Sequence, residues 1–443
     1  MRRPRRHLGA GAAASIAALL ATGVSRAQNA DSFFFSNEAA LTAGAMVAVA
    51  GDEGSAWYNP AGLGSLRRTR LNANGSVFGV RVRSVERGLT SNLDGLSSTV
   101  DYGGTDFITT PTTASASFSL LPNLTLSGGV FNTSHDVRAA SGTERVGGPG
   151  GRALSQRIES LAHLRRMNAG GAYGFDAGHG VRVGGGMFLV YSVRDSAVDY
   201  LVGVDGGGQK AEVVSYKPTA GASGFGLQPT SGLQWDVSKS LHLGVMFRFP
   251  ELRLHTSQRG STTQVVGEAD GASFAILDDK RSSGRVRWSD PARLFFGVAY
   301  EPSRAVRIAL DADVSFALQE DSWGRSHDAT LRARAGVIVK AVDMVHVGFG
   351  AFVDPASERA LADTPGSIRA DYFGGTSGVI LRTRIGGDPG PDAPIVTLCI
   401  AVRYAVGVGD ARTVIIAEQG GGLRRQPITV HDVMPYFGSS VAF

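Results

Sequence analysis

Apolar residues fall on every second position over long parts of this chain. In residues 181–194 the odd positions carry Val181, Val183, Met187, Leu189, Tyr191 and Val193, while the even positions include Arg182, Ser192 and Arg194. Leu241, Leu243, Val245, Phe247 and Phe249 alternate in the same way with His242, Gly244, Met246 and Arg248. Three further runs separate just as cleanly. Val306, Ile308, Leu310, Ala312, Val314 and Phe316 oppose Arg307, Asp311, Asp313 and Ser315. Leu331, Ala333, Ala335, Val337 and Val339 oppose Arg332, Arg334 and Lys340, and Val396, Leu398, Ile400, Val402 and Tyr404 oppose Thr397, Cys399 and Arg403. A period of two over about ten residues describes strands with one apolar and one polar face. After Val24 no run reaches the ~20 apolar residues that a spanning helix needs. A membrane location for this chain therefore requires a closed barrel, the other spanning structure that satisfies its backbone internally.

A soluble sandwich alternates as well, and connection lengths separate the two. Tight turns are expected near Pro122-Asn123, Ala177-Gly178, Val237-Ser238-Lys239, Pro302-Ser303 and Val342-Asp343. Between them lie long polar stretches near 85–111, 138–157, 257–284, 354–367 and 409–431. Short turns on one side and long loops on the other, in alternation, are the habit of outer-membrane barrels. The pattern predicts an all-β transmembrane antiparallel barrel of fourteen strands. They are placed near 69–84, 112–121, 123–137, 158–176, 179–196, 212–236, 239–256, 285–301, 304–319, 328–341, 343–354, 368–384, 394–408 and 432–443. Residues 257–284 leave room for an extra hairpin, and 385–393 is long for a turn on the tight side. An even count puts both termini at one end, the periplasmic one. The 60 glycines fit bulges, curvature and loops.

The two ends strengthen this reading. Arg2, Arg3, Arg5 and Arg6 precede an apolar stretch from Leu8 to Val24, and Ser25-Arg26-Ala27 follows it. A basic region, a short apolar core and small residues at the cut describe a secretory signal peptide over 1–27. Its removal takes five arginines and no acid, so the 44 Lys+Arg fall to 39, equal to the 39 Asp+Glu. The basic balance belongs to the leader, and a nucleic-acid partner, which calls for clustered charge on the folded domain, is not expected. The chain finishes on Phe443, with Val441 and Phe437 at alternate positions before it, as outer-membrane strands commonly do.

Residues 44–64, GAMVAVAGDEGSAWYNPAGLG, lie just inside that expected mature start. This run resembles the N-terminal plug of the FadL-type outer-membrane transporters of long-chain fatty acids and other hydrophobic compounds. The family pattern, GGA-x-VA-x-A-x-D followed by SA-x-x-NPAGL, is met by Gly44, Ala45, Val47, Ala48, Ala50, Asp52, Ser55, Ala56, Asn59, Pro60, Ala61, Gly62 and Leu63. The resemblance implies a plug over 28–68 inside a barrel over 69–443, acting as a monomer in the outer membrane of a Gram-negative bacterium. It also implies passive uptake of a hydrophobic small molecule, gated by the plug, with outer-membrane lipid as the surroundings. Phe33, Phe34 and Phe35 are candidates for packing the plug or lining the ligand site. Asn59, Pro60 and Ala61 are candidates for the gate, and Gly128-Gly129 for the strand kink through which such transporters release cargo sideways. A scaffold or secretion-apparatus barrel is the alternative, since some such barrels carry a similar N-terminal segment.

Catalytic and metal chemistry is not expected. Cys399 is the single cysteine, so neither a disulfide nor a CxxC site is possible within the chain. The nine histidines form no H-E-x-x-H motif. The run GVDGGGQK at 203–210 lacks the Gly-Lys-Ser/Thr ending of a phosphate loop. Ser134-His135 is the one hint of a barrel hydrolase, but neighbours on a strand point to opposite faces. Arg307, Asp311 and Asp313 share one inward face, and Arg332 and Arg334 share the next. This lumenal cluster suits either a ligand carboxylate held in an arginine fork or ion pairs between strands.

Overall fold

The structure is a computed structural model that describes residues 33–443 apart from 94, 206–211, 269–270, 285–286, 321–325, 360–366, 386–392 and 418–419. Two short helices, α1 (Asn37–Leu41) and α2 (Ser55–Tyr58), and a 3-10 turn (Pro60–Ser65) come first. The sheet follows as β1 (Arg70–Leu93), β2 (Leu96–Leu121), β3 (Leu124–Gly147), β4 (Ala153–Gly178), β5 (Val181–Asp205), β6 (Glu212–Asp236), β7 (Leu241–Arg248), β8 (Glu251–Glu268) and β9 (Gly271–Gly284). It continues with β10 (Arg287–Asp290), β11 (Arg293–Ser303), β12 (Val306–Ser315), β13 (Thr330–Val342), β14 (Val345–Asp354), β15 (Ile368–Arg384), β16 (Ile395–Ala417) and β17 (Gly420–Ala442).

All seventeen segments belong to one sheet. β6 pairs along its length with β7 and then β8, so these two run in line. β9 and β10 pair with β8 while β11 pairs with β7, and those three run in line as well. Among the described residues, merging the in-line segments leaves fourteen staves. The ring closes where β17 meets β1, with Arg70 opposite Ala442.

The alternation read from the sequence is the alternation of the wall. Met187, Leu189, Tyr191, Ile308, Leu310, Leu398 and Ile400 are exposed on the outside, whereas Asp311, Asp313, Cys399 and Arg403 are buried inside. Apolar side chains outside and charges inside invert the arrangement of a water-soluble protein and fit a barrel that stands in lipid. Among the described residues no helix is long and apolar enough to cross a membrane.

The expected tight turns fall between β2 and β3, β4 and β5, β6 and β7, β11 and β12, and β13 and β14. Apart from 354–367, half of which lies outside the described residues, the long polar stretches are not irregular loops. β1 runs to Leu93, β3 to Gly147 and β16 to Ala417, so 85–111, 138–157 and 409–431 are largely strand. Residues 257–284 add no staves: β8 and β9 extend two existing ones as a hairpin. These hairpins turn their apolar residues inward and present polar ones outside, the reverse of the lipid-facing wall, which is why the extensions resemble loops beside the staves. The expected signal peptide, the 206–210 part of the glycine-rich run and most of 385–393 lie outside the described residues.

Three features place the interior. Residues 33–66 occupy the lumen at the tight-turn end, where most of their side chains are buried. At the opposite end, inward residues from several hairpins meet in an apolar cluster that includes Leu89, Val100, Leu154, Val198, Val414 and Ile428. Between these two ends the wall is lined with buried arginines and carboxylates, among them Arg81 with Asp432 and Arg293 with Asp313.

Candidate functional site

The plug is built from turns too short to persist alone, since isolated helices of this length are unstable in water. Ser36 caps α1, its hydroxyl accepting from the Ala39 N–H at 3.2 Å. Asn59 caps the 3-10 turn with Pro60 at its first position, and Asn59 Oδ1 accepts from the Ala61 N–H at 3.1 Å. The small-residue run 43–50 lies almost fully buried against the wall.

Wall side chains hold the plug by its backbone. Asp311 Oδ2 accepts from the N–H groups of Met46 and Val47 at 2.7 and 2.9 Å. Thr376 accepts from the Ala43 N–H at 3.1 Å and donates to the Leu41 carbonyl at 3.0 Å. Gln234 Nε2 donates to the carbonyls of Val47 and Ala50, each at 3.1 Å. Asn59 Nδ2 reaches back to the Val47 carbonyl at 2.8 Å and across to that of Leu233 at 3.1 Å. One ion cluster completes the docking: Glu38 accepts from Arg307 Nη1 at 2.7 Å and from Arg382 Nη2 at 2.6 Å. Burial opposes ionisation of Glu38, but Arg307 and Arg382 outweigh it and hold its pKa at about 2. Asp52 has no such partner. Burial, reinforced by the nearby carboxylates of Glu53 and Glu38, pushes it up to about 8.

Wall glycines give the plug its seat. A Cβ on Gly244 would lie 2.2 Å from the Val47 carbonyl oxygen, and one on Gly184 would lie 2.4 Å from the Pro60 carbonyl carbon. Gly174, Gly232, Gly297, Gly336 and Gly350 meet the plug at similar range. The wall is thus stripped of side chains along the path where the plug backbone rests, a close approach that only glycine permits.

Beside this seat an aromatic cluster joins plug to wall. Phe35 and Trp57 come from the plug, Phe131 from β3 and Phe188 from β5, with ring centroids 5.1 to 5.6 Å apart. The Arg248 guanidinium lies 4.0 Å over the Trp57 ring and donates to the Trp57 carbonyl at 3.2 Å. Next to Phe131 the wall itself changes. β2 and β3 pair from Leu121↔Leu124 up to Thr113↔Phe131, then once more at Gly103↔Ser141, with no ladder between. β3 keeps its pairing with β4 through the same stretch, with one bulge at Thr133. Asp106 spans the upper end of the break, where its carboxylate accepts from the Ala139 N–H at 2.7 Å. Within hydrocarbon, strand edges without partners are tolerated only where they line a cavity or path.

The candidate residues read from the sequence fall into distinct places. Phe33 and Phe35 pack in the aromatic cluster, and Phe34 meets Tyr436 edge-on at 6.4 Å. Asn59, Pro60 and Ala61 form the turn on the glycine seat. Gly128 and Gly129 sit in the intact ladder opposite Gly171 and Gly170, and the break in β2–β3 pairing begins beyond Phe131. At Gly129 the lack of a side chain serves close strand approach, since a Cβ there would lie 2.7 Å from Ser115, whereas one on Gly128 would meet only the Gly170 carbonyl oxygen at 3.7 Å. The charge cluster divides in two. Arg307 and Asp311 grip the plug, whereas Asp313 takes Arg293, Arg332 and Arg334 at 2.8, 3.2 and 3.1 Å, an ion-pair knot between strands. Ser134 is buried facing the lumen while the His135 ring meets His163 at 5.4 Å, so the two side chains diverge. Among the described residues no group of three or more metal-ligating side chains converges. Sequence reasoning missed Trp57, Phe131, Phe188 and Gln234; for Trp57 its place within the motif was a signal, and for the others there was none.

The fold is a closed antiparallel barrel with a short N-terminal plug docked in its lumen. No family profile matches the sequence and no curated protein does. Solved structures do match it. A Pseudomonas aeruginosa FadL homologue superposes with a TM-score of 0.60 at 10% identity, over 94% of this chain and 99% of that one. The Ralstonia pickettii toluene transporter TbuX does so with 0.51 at 11% identity, over 92% and 98%. The Pseudomonas putida toluene transporter TodX gives 0.52 at 14% identity, over 88% and 94%. The chain therefore has the FadL-type fold across nearly its whole length.

Proposed function

We propose that this chain is an outer-membrane channel for passive uptake of long-chain fatty acids or other hydrophobic compounds, with the plug as its gate. The observation that carries this reading is the aromatic cluster, built half from plug and half from wall, beside the break between β2 and β3. Cargo held against Phe35, Trp57, Phe131 and Phe188 has a path sideways into lipid and need not cross the polar seat below. The break starts about 20 Å above the tight-turn end, from the eight residues of β3 below it at the usual rise and tilt of barrel strands. That height lies near the far edge of the lipid belt. A scaffold has no use for such an aperture, which favours transport over the alternative. The neighbours' named cargo, toluene, is of the same apolar class.

The leader over 1–27 directs export in this reading, and both termini stand in the periplasm. In this reading the barrel works as a monomer. Uptake of labelled oleate and of toluene by cells with and without the protein tests the proposal. Expression speeds uptake of at least one, and Trp57→Ala or Phe131→Ala slows it without loss of the folded barrel. Equal uptake of every hydrophobic compound with and without correctly inserted protein overturns it.

A further inference from the structure

At the mouth opposite the plug, the first hairpin does not simply stand up from the wall. β1 and β2 pair without a shift from Gly79↔Ile108 to Val85↔Tyr102 and resume at Leu89↔Val100, so three residues of β1 face only Asp101. Within that bulge Arg87 takes φ 52°, the left-handed region that a side chain disfavours, and its N–H donates to Asp101 Oδ1 at 2.7 Å. At Gly88 a Cβ would lie 1.8 Å from the Tyr102 ring, so the backbone there presses on the opposite arm. Beyond this bend β1 leaves its neighbour β17. Leu89, Thr90, Ser91 and Asn92 pair in parallel with Val414, Ile415, Ile416 and Ala417 of β16. One edge of that β16 segment is already taken by β17. β15 stops pairing at Ala411, so the hairpin occupies the edge that β15 leaves free.

Both arms of the hairpin also reach a stave to which neither is paired. Gln156 of β4 accepts from Ser91 Oγ and donates to Ser98 Oγ, each at 2.6 Å, and is buried there. Around it Leu89, Leu96 and Val100 close on Leu154, Ile158, Val198 and Val202. We infer that the tip of the β1–β2 hairpin is a lid over this mouth, hinged at Arg87-Gly88 and latched on the free edge of β16. The latch is a short parallel ladder, two side-chain hydrogen bonds and an apolar seam. Opening the lid exposes that seam, and a hydrophobic compound that covers it favours the open state through its differential affinity. This coupling rests on the uptake reading; the hinge and latch do not.

Two measurements separate those claims. In micelles without cargo, hydrogen exchange reads the latch alone. Amides 89–92 are expected to exchange ahead of 70–74 of the same strand, because the latch opens while the wall stays paired. Equal protection of the two segments overturns the lid. In cells, Thr90→Cys with Ile415→Cys in a Cys399→Ser background ties the latch shut. Oxidation is then expected to bring uptake down to that of cells lacking the protein, and reductant to restore it. Arg412→Cys with Arg425→Cys, which pins β16 to β17 and leaves the hairpin free, is expected to change nothing. Full uptake through the cross-linked latch overturns the lid, and so does an equal loss in the control pair. A parent protein that takes up no hydrophobic compound refutes the channel instead, and the exchange result still judges the lid.

Discussion

Replacing Asn59 with alanine tests the plug at its most connected residue. Its amide donates to the Val47 carbonyl at 2.8 Å and the Leu233 carbonyl at 3.1 Å, and its Oδ1 caps Ala61 at 3.1 Å. Val47 keeps a donor in Gln234, so its carbonyl is not orphaned. The Ala61 N–H has no such substitute, and Asn59 is fully buried, so water does not replace the lost cap. A lost N-cap costs about 0.5–2 kcal/mol, and a buried group left unsatisfied about 1–3 kcal/mol. These overlap at the Ala61 N–H, and with the wall contact added the docked plug should lose about 2–4 kcal/mol. Hydrogen exchange of residues 43–50 reads that loss as a rate increase of about thirty- to a thousand-fold while the barrel strands keep their protection. Plug amides exchanging at the parent rate would refute the assignment of Asn59 as a tether.

Other sites give independent tests. Asp52 is raised to about 8 in the docked plug, so docking takes up a proton that the free plug, near the ordinary 3.8, does not hold. Its contribution to docking therefore weakens as pH rises from about 4 to 8 and is level above that. Glu38, held near 2, has finished its own change below its ordinary 4.5 and adds no slope above it. Plug exchange should quicken from pH 5 to pH 8, after correction for intrinsic rates, by at most about 4 kcal/mol. Asp52→Asn should flatten the profile, and an unchanged slope in that variant counts against the assignment. Gly244→Val puts a side chain where the Val47 carbonyl lies, so the plug should undock, with raised single-channel conductance from an otherwise heat-stable barrel. A closed lumen in this variant would show that the seat is not needed. Asp313→Asn leaves Arg293, Arg332 and Arg334 without their shared carboxylate, which should lower barrel stability to urea by about 3–5 kcal/mol. An unshifted urea midpoint would deny the knot its structural role.

The staves were legible because lipid imposes a strict period of two: Leu398 and Ile400 must face out, and Cys399 and Arg403 must face in. The plug was legible by resemblance rather than by physics, since an Ala/Gly run has no periodicity to read. Two things could not be read from local sequence. The seat joins Gly174, Gly184, Gly244, Gly297 and Gly336 from five different staves, and each alone looks like an ordinary strand glycine. The kink was sought at the conspicuous pair Gly128-Gly129, but the ladder parts beyond Phe131, in a stretch with no special composition. A break in pairing belongs to two strands together, and neither sequence announces it.

The way the plug is held suits the gating proposed for it. Its tethers are Asp311, Thr376, Gln234, Asn59 and the Glu38 cluster, nearly all hydrogen bonds to backbone, each with a net contribution of about 0.5–1.5 kcal/mol, more where a charge takes part. Its residues 43–50 are mostly small, so the apolar area they bury is modest for the length of chain. The large apolar side chains, Phe35 and Trp57, sit at one end, against Phe131 and Phe188. A hydrophobic compound can replace those contacts kind for kind. It cannot replace the hydrogen bonds at the seat. In the channel proposed above, cargo competes with the plug at the aromatic cluster while the tethers below stay made. Such an arrangement lets one end of the plug give way beside the β2–β3 break without opening the whole lumen to water.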